Sequence, residues 1–165
     1  MLQLFQRRRW VDPGRLEAGI ESFTNQLAWI NSHTGLTMAG WKRTDSQGAP
    51  GAILATTSYT DHSWFLAEVA RLQTLEDYAP VNETTAAMTV GEDAFERWDA
   101  PPGLPAGWSL PTESFIQVVG APSSAGIHLT WTNAEGADDL GTWFPSESAP
   151  RSSGGLRTEE WSRVH

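Results

Sequence analysis

Cysteine is absent from all 165 residues. Disulfides, thiol nucleophiles and Cys-based metal sites are therefore excluded. Long apolar runs are missing too. No stretch approaches the roughly 18 residues of a membrane span, and the opening MLQLFQRRRW is too short, with its charges at the wrong end, for a signal peptide. The expectation is a soluble cytoplasmic protein with no membrane partner. The four histidines, His33, His62, His128 and His165, are scattered and match no metal-ligand spacing, so no metal is expected. There is no Gly-x-Ser-x-Gly elbow and no phosphate-binding glycine loop. Positive charge is scarce: 11 Lys and Arg against 20 Asp and Glu give a net charge of −9, which argues against a nucleic-acid partner.

Tryptophan, by contrast, is abundant, with nine residues. Such enrichment suits a large core, an oligomer interface or an aromatic-lined pocket, and composition does not choose among them. The charge is unevenly spread. Residues 1–43 carry six basic and three acidic groups, and the basic excess comes largely from Arg7, Arg8 and Arg9; residues 44–165 carry five basic and seventeen acidic. The length suits one domain, or a smaller domain with an appendage, and is enough to bury a real core.

The clearest local pattern is a helix. Asp12 is a cap, Pro13 suits the first helical position, and Leu16, Ile20, Phe23, Leu27 and Ile30 recur in a single stripe. Gly35 is expected to close it in a left-handed conformation. Before it, residues 2–11 read as a strand, with Leu2, Leu4, Gln6, Arg8 and Trp10 on one face and Phe5, Arg7, Arg9 and Val11 on the other. Neither face is cleanly polar, so both are expected to be covered. Residues 36–44 and 52–59 read as a hairpin about a turn cluster at 45–51. Thr60 or Asp61 caps a second helix that Pro80 is expected to end, and 85–90 is a short fourth strand. Residues 114–119 and 127–132 read as two further strands, 145–155 as a mobile segment, and 156–164 as one or two helical turns anchored by Trp161. The domain division is a ferredoxin-like domain over 1–99, a β extension over 100–144 and a flexible tail with a short helix over 145–165.

Strand, helix, strand, strand, helix, strand is the split βαβ order. With VDPGRLEAGIESFTNQLAWINSHTGLTMAGWKR and ATTSYTDHSWFLAEVARL, it resembles the dimeric α+β barrel superfamily, which includes antibiotic biosynthesis monooxygenase-like proteins, small polyketide cyclases and haem-degrading monooxygenases. The resemblance covers a little over half the chain. It implies an α+β fold with an antiparallel sheet, pairing of two copies through their sheets, and a ligand pocket between sheet and helices. A physical argument runs beside it. Two helices cover only one face of a four-stranded sheet, and a second copy would shield the other; alternatively, the C-terminal strands extend the sheet or cross to the partner.

If the pocket is where the resemblance implies, His62, in the first turn of the second helix, is the candidate base for an acidic phenol or enol proton, and Arg8 the candidate anion holder. Trp41, Tyr59 and Trp64 are candidate substrate-binding walls. Each also has a plainer reading: core packing for the tryptophans, an exposed helix start for His62, a surface ion pair for Arg8. The function implied is a cofactor-independent monooxygenase, cyclase or isomerase acting on a hydrophobic aromatic or polyketide-like molecule, working as a homodimer and needing no cofactor. The alternative is a non-catalytic small-molecule-binding or protein-interaction module of the same fold. Haem handling ranks below both, because residues 65–79 contain no histidine where the haem-degrading relatives carry one.

Overall fold

The computed structural model describes residues 1–45, 51–104, 112–123, 126–132, 143–145 and 157–165. The elements run β1 (Gln3–Val11), α1 (Leu16–His33), β2 (Ala39–Arg43), β3 (Ala52–Tyr59), α2 (His62–Thr74), α3 (Tyr78–Ala86), β4 (Thr89–Asp99), β5 (Ser114–Ser123), β6 (Gly126–Thr132), β7 (Phe144–Pro145) and β8 (Arg157–Arg163). The first four strands are ordered β2-β3-β1-β4, all antiparallel, which is the ferredoxin-like arrangement anticipated from the chain order. Most of the expected turn at 45–51 and most of the segment expected to be mobile, 145–155, lie outside the described residues.

Local chemistry explains the elements, including those that depart from expectation. Asp12 accepts from the Gly14 amide, and a short 3-10 turn at Pro13–Arg15 leads into α1. The helix ends without a left-handed glycine: Thr34 returns its hydroxyl to the Ile30 carbonyl, and the Gly35 amide donates to Glu68 on α2. Asp61 caps α2 by accepting from the Trp64 amide. Pro80 does not terminate a helix. It sits in the first turn of α3, where its missing N–H is not needed, and this third helix delays β4 to Thr89.

The largest departure is at the C-terminal end. Residues 157–163 are a strand, not a helical turn, and β8 inserts between β2 and β5. Alternate positions along it are buried, Glu159 and Trp161 inward with Thr158 and Glu160 outward. The whole sheet reads β6-β5-β8-β2-β3-β1-β4-β7. It is strongly curled. Gln6 on β1 donates to Gln117 on β5 at 2.8 Å, although three strands separate them. In a flat sheet four steps of about 4.8 Å would hold those strands roughly 19 Å apart. The edge strands β6 and β7 accordingly come alongside each other.

Two cores result. Phe23, Leu27 and Ile30 of α1 pack with Phe65 and Leu72 of α2 and Tyr78 of α3 onto Val11, Ile53, Ala55 and Tyr59. Gly40 lets α1 approach this face closely: a Cβ there would lie 2.7 Å from a Leu27 methyl. The opposite face turns inward on itself. Leu4, Trp41, Leu54, Trp98, Phe115 and Trp161 are all buried there, and among the described residues no helix covers them. One copy does not leave this face bare: β5 and β8 cover it, which is the alternative in which the C-terminal strands extend the sheet. Among the described residues, no helix is long and apolar enough to cross a membrane.

Candidate functional site

A cavity of about 200 Å³ lies between the sheet and the helices. Its apolar wall is built by the stripe of α1 (Phe23, Leu27, Ile30), by Phe65 of α2, and by Phe5 and Phe95 of adjacent strands. Its polar end comes from β1. The pleat sends Arg7 and Arg9 to the helix side with Phe5, and both line the cavity.

A bulge organises this end. Arg8 pairs with Ala94 and Trp10 with Val90, so Gly91, Glu92 and Asp93 all stand opposite Arg9. Gly91 takes φ +71°, and Asp93 is turned towards both arginines. Arg7 Nε donates to Asp93 Oδ2 at 2.9 Å, with Nη2 on the same oxygen, and Arg9 Nε donates to Oδ1 at 3.2 Å. Arg9 Nη1 donates to Gln26 Oε1 at 3.2 Å, and Gln26 Nε2 donates to Asn82 Oδ1 at 2.9 Å. Arg9 and Gln26 are 3% and 2% exposed. Burial, joined by repulsion from Arg7, lowers the Arg9 pKa, and Asp93 only partly offsets this.

The five residues singled out from sequence fall into three places. Arg8 and Trp41 stand on the inward-curled face, away from the cavity. Arg8 pairs with buried Glu159 at 2.6 Å and covers the Trp161 ring, while the Trp41 indole donates to Thr56. Trp64 is 41% exposed beside Gly35, at the far end of α1. Tyr59 and His62 do come together, with Tyr59 Oη 3.4 Å from His62 Nδ1. Neither lines the cavity; Phe65, which does, stacks on Tyr59 at 4.1 Å. Arg97 completes this cluster, its Nη1 2.8 Å from His62 Nε2. A guanidinium only donates, so Nε2 accepts, and the lone pair a neutral histidine would use as a base is engaged. Burial raises the Tyr59 pKa, and Arg97 opposes the shift.

Arg7, Arg9, Gln26, Asn82, Asp93 and Arg97 were not singled out from sequence. A signal existed for the first three. Arg7 and Arg9 alternate with Phe5 and Val11, the face the amphipathic helix must cover, and Gln26 lies three residues after Phe23, inside the apolar stripe. Asp93 required the bulge, which left no mark beyond Gly91. Among the described residues no group of three or more potential ligands stands together to hold a metal.

The fold is a ferredoxin-like α+β unit with a C-terminal β extension, and the known structures it matches share that unit. A NIPSNAP domain protein from Burkholderia xenovorans matches at TM-score 0.53 and 17% identity, covering 64% of this chain and 99% of its own. A NIPSNAP family protein from Agrobacterium tumefaciens matches at TM-score 0.51 and 10% identity, with the same shares of each chain. SnoaB, a cofactor-independent oxygenase from Streptomyces nogalater, matches at TM-score 0.48 and 18% identity, covering 63% of this chain and 97% of its own. At these identities the likeness is one of fold alone. No family model matches the sequence, and no curated protein does.

Proposed function

We propose that the cavity between sheet and helices is a small-molecule site, and that the chain is a cofactor-independent enzyme which oxygenates, cyclises or isomerises a hydrophobic aromatic or polyketide-like compound. The observation that carries this reading is Arg9: a buried guanidinium at the polar end of a cavity whose remaining wall is mostly apolar, fixed by Asp93 and Gln26. Fixed donors at a largely apolar wall stabilise charge as it develops on an enolate or phenolate oxygen, and they need no reorganisation to do so. Substrates of this kind supply their own acidity and electrons, leaving the protein to position them and exclude water.

One observation favours a second reading, a binding protein that performs no reaction. His62, the expected base, does not line the cavity, and its Nε2 accepts from Arg97. The two readings part on turnover. Purified protein is incubated with acidic phenols and enolisable ketones, and oxygen uptake and product formation are followed. The enzyme reading expects turnover that Arg9→Met abolishes. Saturable binding of such compounds with no turnover of any would leave the binding reading alone.

A further inference from the structure

Resting on the small-molecule reading above, we propose that the ligand is a compact carboxylate with no more than one ring, of benzoate size, its carboxylate seated against Arg9 and Asn82. Three observations converge on this. The first is volume. A cavity of about 150 Å³ holds a benzene molecule, whereas drug-sized ligands occupy roughly 300–1,000 Å³. At about 200 Å³ this cavity takes one ring with a small substituent, or an acyl chain of similar bulk, and is too small to enclose a fused polycyclic compound.

The second is charge. Among the described residues the lining includes two guanidiniums and no carboxylate. Among the described residues Asp93, standing behind Arg7 and Arg9, is the one acidic partner of both, so two guanidiniums share one carboxylate beside an apolar wall. A cation short of counter-charge in a low-dielectric site is stabilised by an anion arriving there.

The third is the direction of the hydrogen bonds. Arginine can only donate, so Gln26 must turn its oxygen to Arg9 and its nitrogen to Asn82. Asn82 therefore accepts with its oxygen and retains its amide N–H groups. Arg9 commits Nε to Asp93 and Nη1 to Gln26, which leaves Nη2. What this relay offers the cavity is donors, Arg9 Nη2 and the Asn82 amide, and a carboxylate is the group that accepts from two donors at once.

Calorimetric titration of the full chain with benzoate, benzamide and anthracene-2-carboxylate tests this. Benzoate is expected to bind, with benzamide and the tricyclic acid weaker by about tenfold or more. Arg9→Met is expected to reduce benzoate affinity by a similar factor. Asn82→Asp, at a half-buried position, is expected to do the same by replacing donors with an acceptor. Benzamide binding as tightly as benzoate, or the tricyclic acid binding best, would overturn this inference and leave the pocket standing. Silence from all three compounds would overturn the pocket as well.

Discussion

Truncating Trp161 to alanine removes one ring from the face that the sheet closes upon itself. Trp161 is 1% exposed, lies opposite Arg43 on β2 and Phe115 on β5, and carries the Arg8 guanidinium 5.6 Å from its ring centre. Its indole N–H is buried and has no hydrogen-bond partner among the described residues, so truncation forfeits packing and breaks no hydrogen bond described there. Large-to-small changes at buried aromatics cost about 3–5 kcal/mol, and in a domain of this size each kcal/mol lowers the melting temperature by about 2–4 °C. The variant should therefore melt roughly 6–20 °C lower, with a matching fall in urea midpoint. Trp64→Ala is the control: the same atoms leave a partly exposed site, and the change should be within about 1 kcal/mol. Sedimentation of the unaltered chain belongs beside these measurements. If β5 and β8 substitute for a partner's sheet, single subunits are expected at low micromolar concentration. Equal, small effects of the two truncations, or a unit that sediments only as a dimer and unfolds in a concentration-dependent way, would refute the account of the covered face.

Three other outcomes follow from the geometry. Asp93→Asn should lower stability by about 1–3 kcal/mol in urea melts, because two neighbouring guanidiniums lose their shared carboxylate, while benzoate affinity rises as the site gains positive charge. Gly51→Ala should cost more than Gly91→Ala by thermal melting. Both glycines have positive φ, but a Cβ at 51 would lie 2.6 Å from the Val11 carbonyl oxygen, whereas one at 91 meets nothing within 4 Å. Tyrosinate absorbance in a Tyr78→Phe background should show Tyr59 ionising above the ordinary range near pH 10, since burial holds its neutral form, and Arg97→Met should push it higher still. The sign for folding follows: the stability linked to Tyr59 is fully present below its unfolded value and is lost as pH rises through the folded one.

The α1 stripe and the strand order were legible because each obeys one period over many residues. What stayed hidden did so for identifiable reasons. In β8 the inward positions are Glu159 and Trp161, and a glutamate at a core position breaks the apolar alternation by which a strand is recognised. Glu159 tolerates burial because Arg8, Arg43 and Gln117 surround it, partners brought from three other strands. Pro80 was read as a stop because sequence does not reveal whether a proline stands after one helix or inside the first turn of the next. Choosing Arg8 over Arg7 and Arg9 was a choice of face. The alternation separated the two sets correctly, but which set meets the helices depended on Gly40, Ala55 and Val11 admitting α1 on the other side.

That division of three consecutive arginines gives the cavity its character. The pleat sends Arg8 to the inward-curled face, where Glu159 pairs with both Arg8 and Arg43 and Asp45 also pairs with Arg43. It sends Arg7 and Arg9 to the helix face, where Asp93 answers both. One face is closed and packed with tryptophan; on the other, among the described residues, two guanidiniums share one carboxylate beside a void. A protein selected for stability alone would gain by filling that void with a larger side chain, or by replacing Arg9 with an apolar residue of similar volume. Retaining a buried guanidinium next to an unfilled cavity costs stability on both counts, a cost more readily explained by a ligand that occupies the space and neutralises the charge than by folding requirements.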